Sequence, residues 1–386
     1  MTLRHLTSIN DLTNNEIERV FSLAEKFLAE RGDPATHYRI GRSTDSCAGY
    51  IMATLFYEPS TRTRLSFESA MSRLGGSVIS SADPAASSVA KGETLADTAR
   101  VVSAYADIMV LRHPREGAAK FAAQYASVPI INGGDGAHEH PTQTLCDLFA
   151  IRREKGRLDR LNVAILGDLK GSRTIHSLVN GLARFGANII LMPAPGMDLP
   201  DHFVAEIKQR CHYWPIEGVR FKGATGAYGP QGRSLSCPHP QIDVLYLTRF
   251  QKERWPATTG DYPVVNAEFL TSKPFEQTLV LHPLPRVNEL DPDFDSDPRA
   301  GYFRQASYGV AIRMALISML LNARSESALE RFATGFPDHS ADDVTPSALS
   351  CSNLNCITRA EGKPRFRASG SRSALKHCTY CDHETP

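Results

Sequence analysis

Residues 50–74 read YIMATLFYEPSTRTRLSFESAMSRL. The first part, Tyr50–Tyr57, is a short continuous apolar run, the signature of a strand buried on both faces. Pro59 ends it, and Ser60-Thr61-Arg62-Thr63 opens a segment in which Phe67, Ala70, Met71 and Leu74 recur at helical spacing before Gly75–Gly76 stops it. A buried strand feeding a helix is the repeating unit of a parallel sheet with helices on both sides. The same strand signal recurs at Ile108–Leu111, Val128–Ile131, Val163–Leu166, Ala187–Met192, Val244–Leu247 and Thr278–Leu281. That is too many strands for one small sheet, and Gln143–Arg153 reads as a helix leading from one sheet to the next. The predicted fold class is α/β, with two doubly wound parallel-sheet domains.

Composition supports a folded globular chain and excludes several classes. Of 386 residues, 42% are apolar and 22% charged, which rules out a disordered polymer. Forty-three basic against forty-two acidic residues leave +1, so no overall field draws the chain to nucleic acid or an anionic membrane. Any affinity for an anion must be local. No apolar run approaches the roughly 20 residues that cross a bilayer. The first residues, MTLRHLTSINDLTNNEIERVF, read as an amphipathic helix beginning near Asp11 rather than a secretory signal, so a cytoplasmic location is expected.

Several polar motifs follow predicted strands, where open α/β sheets bind ligands. At Ser60–Thr63, the free N–H groups of a helix start, three hydroxyls and a guanidinium suit a phosphate. The same string also suits a capping serine beside two solvated arginines. Arg112-His113-Pro114 and His140-Pro141-Thr142-Gln143 stand in equivalent places, though each taken alone reads more readily as a capped helix or a satisfied core histidine. Arg173 after VAIL, Arg249 with Gln251 after VLYL, and Arg286 after TLVL put an arginine beyond three strands of the second half. Three such arginines in a nearly neutral chain point to a carboxylate-binding cleft. Ser88 and Lys91 lie in a polar loop that by itself reads as solvated.

Two stretches depart from the α/β rhythm. Lys222–Pro240 is rich in Gly, Pro and Ser and reads as a surface loop, and 325–350 reads as a linker. Beyond it the chain is too short and too poor in aliphatics to fold on a hydrophobic core alone. There Cys351-x4-Cys356-x21-Cys378-x2-Cys381 supplies four thiols in two pairs, the number a tetrahedral structural Zn2+ site takes. A small zinc-binding β module is expected at 351–386. A nucleic-acid-binding zinc ribbon is the rival, weakened by having only Phe366 and Tyr380 for stacking.

In order along the chain, FYEPSTRTRLSFE, SSVAKGETLADT, LRHP, GDGAHEHPTQTLCDLF, GDLKGSRTIHSL, YLTRFQKER, LHPLPRV and YFRQA closely resemble the catalytic chains of the aspartate carbamoyltransferase family. The resemblance spans about Leu6 to Asn322. It implies a carbamoyl phosphate-binding domain over 1–142, joined by a returning helix at 302–324, and an aspartate-binding domain over 143–301. Ser60, Thr61, Arg62 and Thr63 would hold the phosphate. Thr63, Arg112 and His140 would bond the carbonyl oxygen, and Gln143 with the backbone of Pro283 and Leu284 the amide nitrogen. Arg173, Arg249 and Gln251 would grip the carboxylates of L-aspartate. Ser88 and Lys91 would reach a neighbour's site, implying a homotrimer or a dimer of trimers.

The resemblance further implies transfer of a carbamoyl group to the aspartate amine, a step of pyrimidine biosynthesis, with no cofactor for the transfer itself. CSNLNCI and CTYCDHE resemble the zinc domain of the family's regulatory chain, while residues 325–350 are too few for that chain's nucleotide-binding domain. Departures fall at Gly171-Ser172, where the family commonly carries Tyr, at Asn288, in the 222–240 loop and in SYGVAIRM. Since Gly171-Ser172 and the long loop lie on the second-substrate side, a carbamoyltransferase for a different amino acid is an alternative reading. A catalytically silent assembly partner is the other.

Overall fold

The computed structural model describes residues 5–29, 44–82, 88–208, 213–215, 220–221, 227–228, 241–251, 262–271, 275–322, 345–346, 350–362, 364–368 and 376–385. Most of the predicted loop at 222–240 and of the linker at 325–350 lies outside them. The described chain divides into two compact units. One holds the residues up to Thr142 and again from Val310; the other holds Gln143–Gly309.

In the first unit, strands β1 (Ile51–Phe56), β2 (Ser77–Ser81), β3 (Ile108–His113) and β4 (Ile130–Asp135) form an all-parallel sheet of order β2-β1-β3-β4. Its helices are α1 (Asn14–Ala29), α2 (Thr61–Arg73), α3 (Leu95–Ser103) and α4 (Ala118–Ala123). The central strands are buried almost throughout, as their unbroken apolar runs require. Helix α2 turns Phe67, Ala70 and Met71 inward. Strand β2 carried no apolar signal because it is a serine-rich edge strand exposed along nearly its whole length. Helix α1 begins three residues later than Asp11. Ser8 instead caps a 3-10 turn, and the Asp11 carboxylate accepts the backbone N–H groups of Thr7 and Ser8, which stops the helix from starting there.

The second unit is a five-stranded parallel sheet of β5 (Asn162–Gly167), β6 (Asn188–Pro193), β7 (Tyr213–Pro215), β10 (Val244–Leu247) and β11 (Leu279–Leu281), in the order β11-β10-β5-β6-β7. Arg220–Phe221 (β8) and Ala227–Tyr228 (β9) make a separate antiparallel pair. Helices α5 (Pro141–Lys155), α6 (Arg173–Arg184) and α7 (Asp201–Lys208) connect the strands. Helix α8 (Tyr302–Asn322) begins in this unit and ends in the first.

The C-terminal module is a small antiparallel sheet of β12 (Thr345–Pro346), β13 (Arg365–Ala368), β14 (Lys376–Cys378) and β15 (Glu384–Thr385), with one turn of helix, α9 (Thr358–Glu361). It belongs to the first unit. Ile357, Phe366 and Tyr380 join one hydrophobic cluster with Ala118, Phe121 and Ala122 of α4. Tyr380 meets Phe121 edge-on at 5.7 Å between ring centroids, and its hydroxyl donates to Gln124 Oε1 at 3.1 Å. Burying Phe366 and Tyr380 this way stabilises the seat by about 2 kcal/mol each at most. Backbone bonds cross the seam as well: Glu116 N–H to Asn355 O at 3.0 Å, and Ile357 N–H to Glu116 O at 2.9 Å. The module thus borrows the core it is too small to build.

Candidate functional site

In the first unit the register carries the motifs to one sheet edge. Phe56 pairs with Arg112, and His113 pairs with Asp135, so the chain leaves β1, β3 and β4 at neighbouring carboxyl ends. Ser60 is the N-cap of α2, yet its side chain makes no capping bond. The hydroxyls of Ser60 and Thr61 and the side chain of Arg62 therefore sit at a helix N-terminus, where unsatisfied N–H groups favour an anion. Thr63 is buried in the first turn. Arg112 is buried, donates from Nη1 to Gly133 O at 3.2 Å, and pairs through Nη2 with Glu58 at 3.3 Å. His140 is buried at the start of α5, 3.4 Å from the Thr142 hydroxyl. Ser88 and Lys91 are exposed on a 3-10 turn after β2.

The loop between β4 and α5 is built around Asp135. This buried carboxylate accepts from Asn132 Nδ2 at 2.9 Å, Gly117 N–H at 2.7 Å and Glu139 N–H at 3.1 Å. His138 lies between Asp135 (3.3 Å) and Asp382 of the C-terminal module (3.2 Å). Burial alone would depress His138, but the two carboxylates outweigh it and hold the imidazole well above its ordinary value. His113, by contrast, is pushed down to about 4 by burial, and its Nδ1 accepts the Arg115 N–H.

In the second unit the other half of the motifs gathers at the ends of β5, β10 and β11. Leu247 pairs with Leu166, and Tyr246 with Leu281, so Gly167–Arg173, Thr248–Gln251 and His282–Arg286 leave adjacent strands. Arg173 is the first residue of α6 and is buried. Asp168 ties the first two loops together, accepting from Gly171 N–H at 2.7 Å and Gln251 N–H at 3.3 Å. Arg249 donates to Phe250 O at 3.0 Å. Tyr262 donates its hydroxyl to Thr248 O at 2.5 Å and accepts from Asp168 N–H at 2.7 Å. Gly167 adopts φ +122°, and a Cβ there would stand 2.5 Å from Thr248 O, so only glycine allows this approach.

Pro283 and Leu284 are shaped by His282. Its Nδ1 accepts the Leu284 N–H at 2.8 Å, leaving Nε2–H to donate to Glu289 at 2.9 Å. Gln143 donates its amide to Asp147 at 2.7 Å, and Asp147 also receives Gln305 and the Tyr246 hydroxyl. Asp147, Glu289 and Tyr262 were not singled out from sequence. Asp147 had a usable signal, four residues after Gln143 on one helix face; Tyr262 and Glu289 act across loops and had none.

The four C-terminal cysteines converge. All are buried, with their sulfurs within 4.8 Å of one another. Cys351 and Cys381 are 3.6 Å apart, and Cys356 and Cys378 3.7 Å, far beyond the roughly 2.05 Å of a disulfide. Hydrogen bonds from Cys356, Cys378 and Cys381 hold the Cys351 thiol well below its ordinary range; Cys378 and Cys381 are driven well above theirs. Four thiols so close ionise together only around a cation. The group is suited to a metal ion.

Residues 4–153 match the carbamoyl-P binding domain of the aspartate/ornithine carbamoyltransferases, residues 237–320 the Asp/Orn binding domain, and residues 343–385 the metal binding domain of the aspartate carbamoyltransferase regulatory chain. The aspartate carbamoyltransferase catalytic subunit of Lachnoclostridium phytofermentans is 46% identical over 83% of this chain and 98% of its own length. That of Methanopyrus kandleri is 45% identical over 82% of this chain and 97% of its own length. The solved catalytic subunit of M. jannaschii aspartate transcarbamoylase superposes with a TM-score of 0.71 at 43% identity, covering 83% of this chain and 99% of that one. An aspartate transcarbamoylase from Trypanosoma cruzi solved with aspartate and phosphate gives 0.69 at 36% identity, covering 82% and 95%. No described helix is long and apolar enough to cross a membrane. With strand-end motifs in both units and this extent of likeness, the chain belongs to the aspartate carbamoyltransferase family and carries a metal-binding domain of the regulatory-chain type on the same polypeptide.

Proposed function

We propose that this chain transfers the carbamoyl group of carbamoyl phosphate to the α-amine of L-aspartate, giving N-carbamoyl-L-aspartate and phosphate for pyrimidine synthesis. The observation that carries this reading is the pairing of Phe56 with Arg112, which brings the segment leading into the Ser60–Thr63 helix start and the buried Arg112, paired with Glu58, to the carboxyl ends of adjacent strands. Ser60, Thr61, Arg62 and Thr63 take the phosphate. Thr63, Arg112 and His140 donate to the carbonyl oxygen, while Gln143 and the Pro283 and Leu284 backbone accept from the amide. Arg173, Arg249 and Gln251 take the carboxylates of aspartate.

The chemistry needs no protein nucleophile. The amine lone pair forms the new C–N bond, and the oxygen gains charge that fixed donors stabilise by roughly 3 kcal/mol each. The C–O bond to phosphate then breaks, phosphate departs with the bonding pair, and the amine proton passes to it. Holding two repelling anions in contact supplies the remainder as proximity.

The metal reading is Zn2+ held by Cys351, Cys356, Cys378 and Cys381. Four sulfurs about 2.3 Å from a tetrahedral ion lie about 3.8 Å apart, close to the 3.6 and 3.7 Å found. Bound there, zinc supplies structural cross-linking of two chain segments. Reduced thiols suit a cytoplasmic location. The exposed Ser88 and Lys91 support a trimer in which each reaches a neighbour's site. The test is an assay of carbamoyl transfer to a panel of amino acids, with sedimentation of the same sample. Aspartate should be the preferred acceptor, with one phosphate released per product; preference for another acceptor would refute the substrate assignment.

A further inference from the structure

The C-terminal module touches the first unit at more than a hydrophobic seam. Asp382 stands on it with φ +55°, the turn after the Cys378–Cys381 pair, a conformation aspartate tolerates. It is clamped from its own side: Arg367 donates to its Oδ1 at 3.0 Å, and its carbonyl oxygen lies 3.2 Å from His377 Nδ1. Its Oδ2 faces His138 Nε2. The other ring nitrogen of His138 faces Asp135, and Asp135 accepts from the Asn132 side-chain amide before the turn and from the Glu139 backbone N–H after it. Glu139 immediately precedes His140. The same turn leaves no room for a side chain at Gly136, where an added Cβ would stand 2.5 Å from Glu116 Cγ and 3.0 Å from Asn355 Nδ2 of the module.

We propose that Asp382 and His138 are positioning residues for His140, so that the seated C-terminal module sets the geometry of the loop entering the carbamoyl phosphate half-site. The contacts form one continuous line, Asp382 to His138 to Asp135 to the Glu139 backbone, held at 3.1–3.3 Å throughout. Arg112 donates to Gly133 O, two residues before Asp135 within β4. This rests on the reading of His140 as a donor to the carbonyl oxygen.

The test uses the full metal-loaded chain. Asp382→Ala and His138→Ala should lower kcat about 10-fold or more with KM for aspartate little changed, because the loop donates to the carbonyl rather than to the second substrate. Asp382→Asn, which keeps an acceptor oxygen of the same shape, should recover most of the loss. Glu361→Ala serves as the control for docking in general. It removes the module's bond to the Leu95 N–H at 2.9 Å, far along the chain from the loop, and should leave kcat as it was. Metal content and amide exchange at Tyr380 report whether the module remains seated. Unchanged kcat in Asp382→Ala and His138→Ala would overturn the proposal. So would an equal fall in Glu361→Ala, or failure of Asp382→Asn to rescue with the module still seated. Unchanged kcat in His140→Ala would instead strike the reading of the half-site itself.

Discussion

Gln143 donates its side-chain amide to Asp147 Oδ1 at 2.7 Å, one turn further along α5. A carboxylate accepts only, so the amide nitrogen is committed to it and the Gln143 carbonyl oxygen is left as the outward group. That is the group an incoming carbamoyl NH2 needs. Asp147→Asn can present either a donor or an acceptor to Gln143 and so releases this choice. We expect KM for carbamoyl phosphate to rise up to about 10-fold, the upper value of one neutral hydrogen bond. Initial rates at saturating aspartate test it, and an unchanged KM would refute the orienting role.

The arginines of the second unit should act on aspartate alone. Arg249→Ala should raise KM for aspartate roughly 10- to 100-fold, since a hydrogen bond to a charged group is worth about 1.5–3 kcal/mol. Arg173→Lys should restore only part of what Arg173→Ala loses, because a point charge cannot grip a carboxylate with two parallel bonds. Equilibrium binding of carbamoyl phosphate should be the same in all three variants. A matching loss there would place these residues elsewhere.

Seating of the module can be broken from the opposite side. Gly117 has φ +80°, and a Cβ on it would stand 2.6 Å from the Tyr380 backbone. Gly117→Ala should therefore unseat the module without touching any cysteine, and Tyr380 should lose protection from amide exchange. Cys378→Ser, or a strong chelator, should reach the same state by unfolding the module. Loss of metal from Cys378→Ser but not from Gly117→Ala would separate folding of the module from its docking.

Stability should fall in mild acid. His5 and His113 are each pushed down to about 4, first by burial, and each offers Nδ1 to a backbone N–H, of Ile130 and Arg115 respectively. The unfolded chain protonates them near 6.5, so between about 6.5 and 4 it binds more protons than the folded chain, and stability rises with pH over that window. Their contribution is complete above 6.5 and lost as pH falls toward 4, on the order of 3 kcal/mol for each. His113→Gln should flatten the dependence of the urea midpoint on pH between 4 and 6.5. A slope equal to that of the parent chain would exclude His113 as a source.

What could be read from sequence divides by mechanism. The buried strands announced themselves because a parallel strand covered on both faces must be apolar throughout, as in Met52–Phe56. Strand β2 did not, because Ser77–Ser81 is an exposed edge. The strand-end motifs could be placed since each follows a strand signal, and the four cysteines since two close pairs in a tail without its own core suit a shared ion. The groups that set those residues could not. Glu58 against Arg112, Glu289 behind His282 and Tyr262 over Asp168 depend on loops meeting in space, for which spacing along the chain holds no periodic trace.

The seat formed by Phe121 and Gly117 is filled by a domain of the same polypeptide. Where two separate chains meet, dilution pulls them apart and their ratio depends on how much of each is made. Here the ratio is fixed at one to one by synthesis, and the tether keeps the local concentration of the module in the millimolar range regardless of how scarce the enzyme becomes.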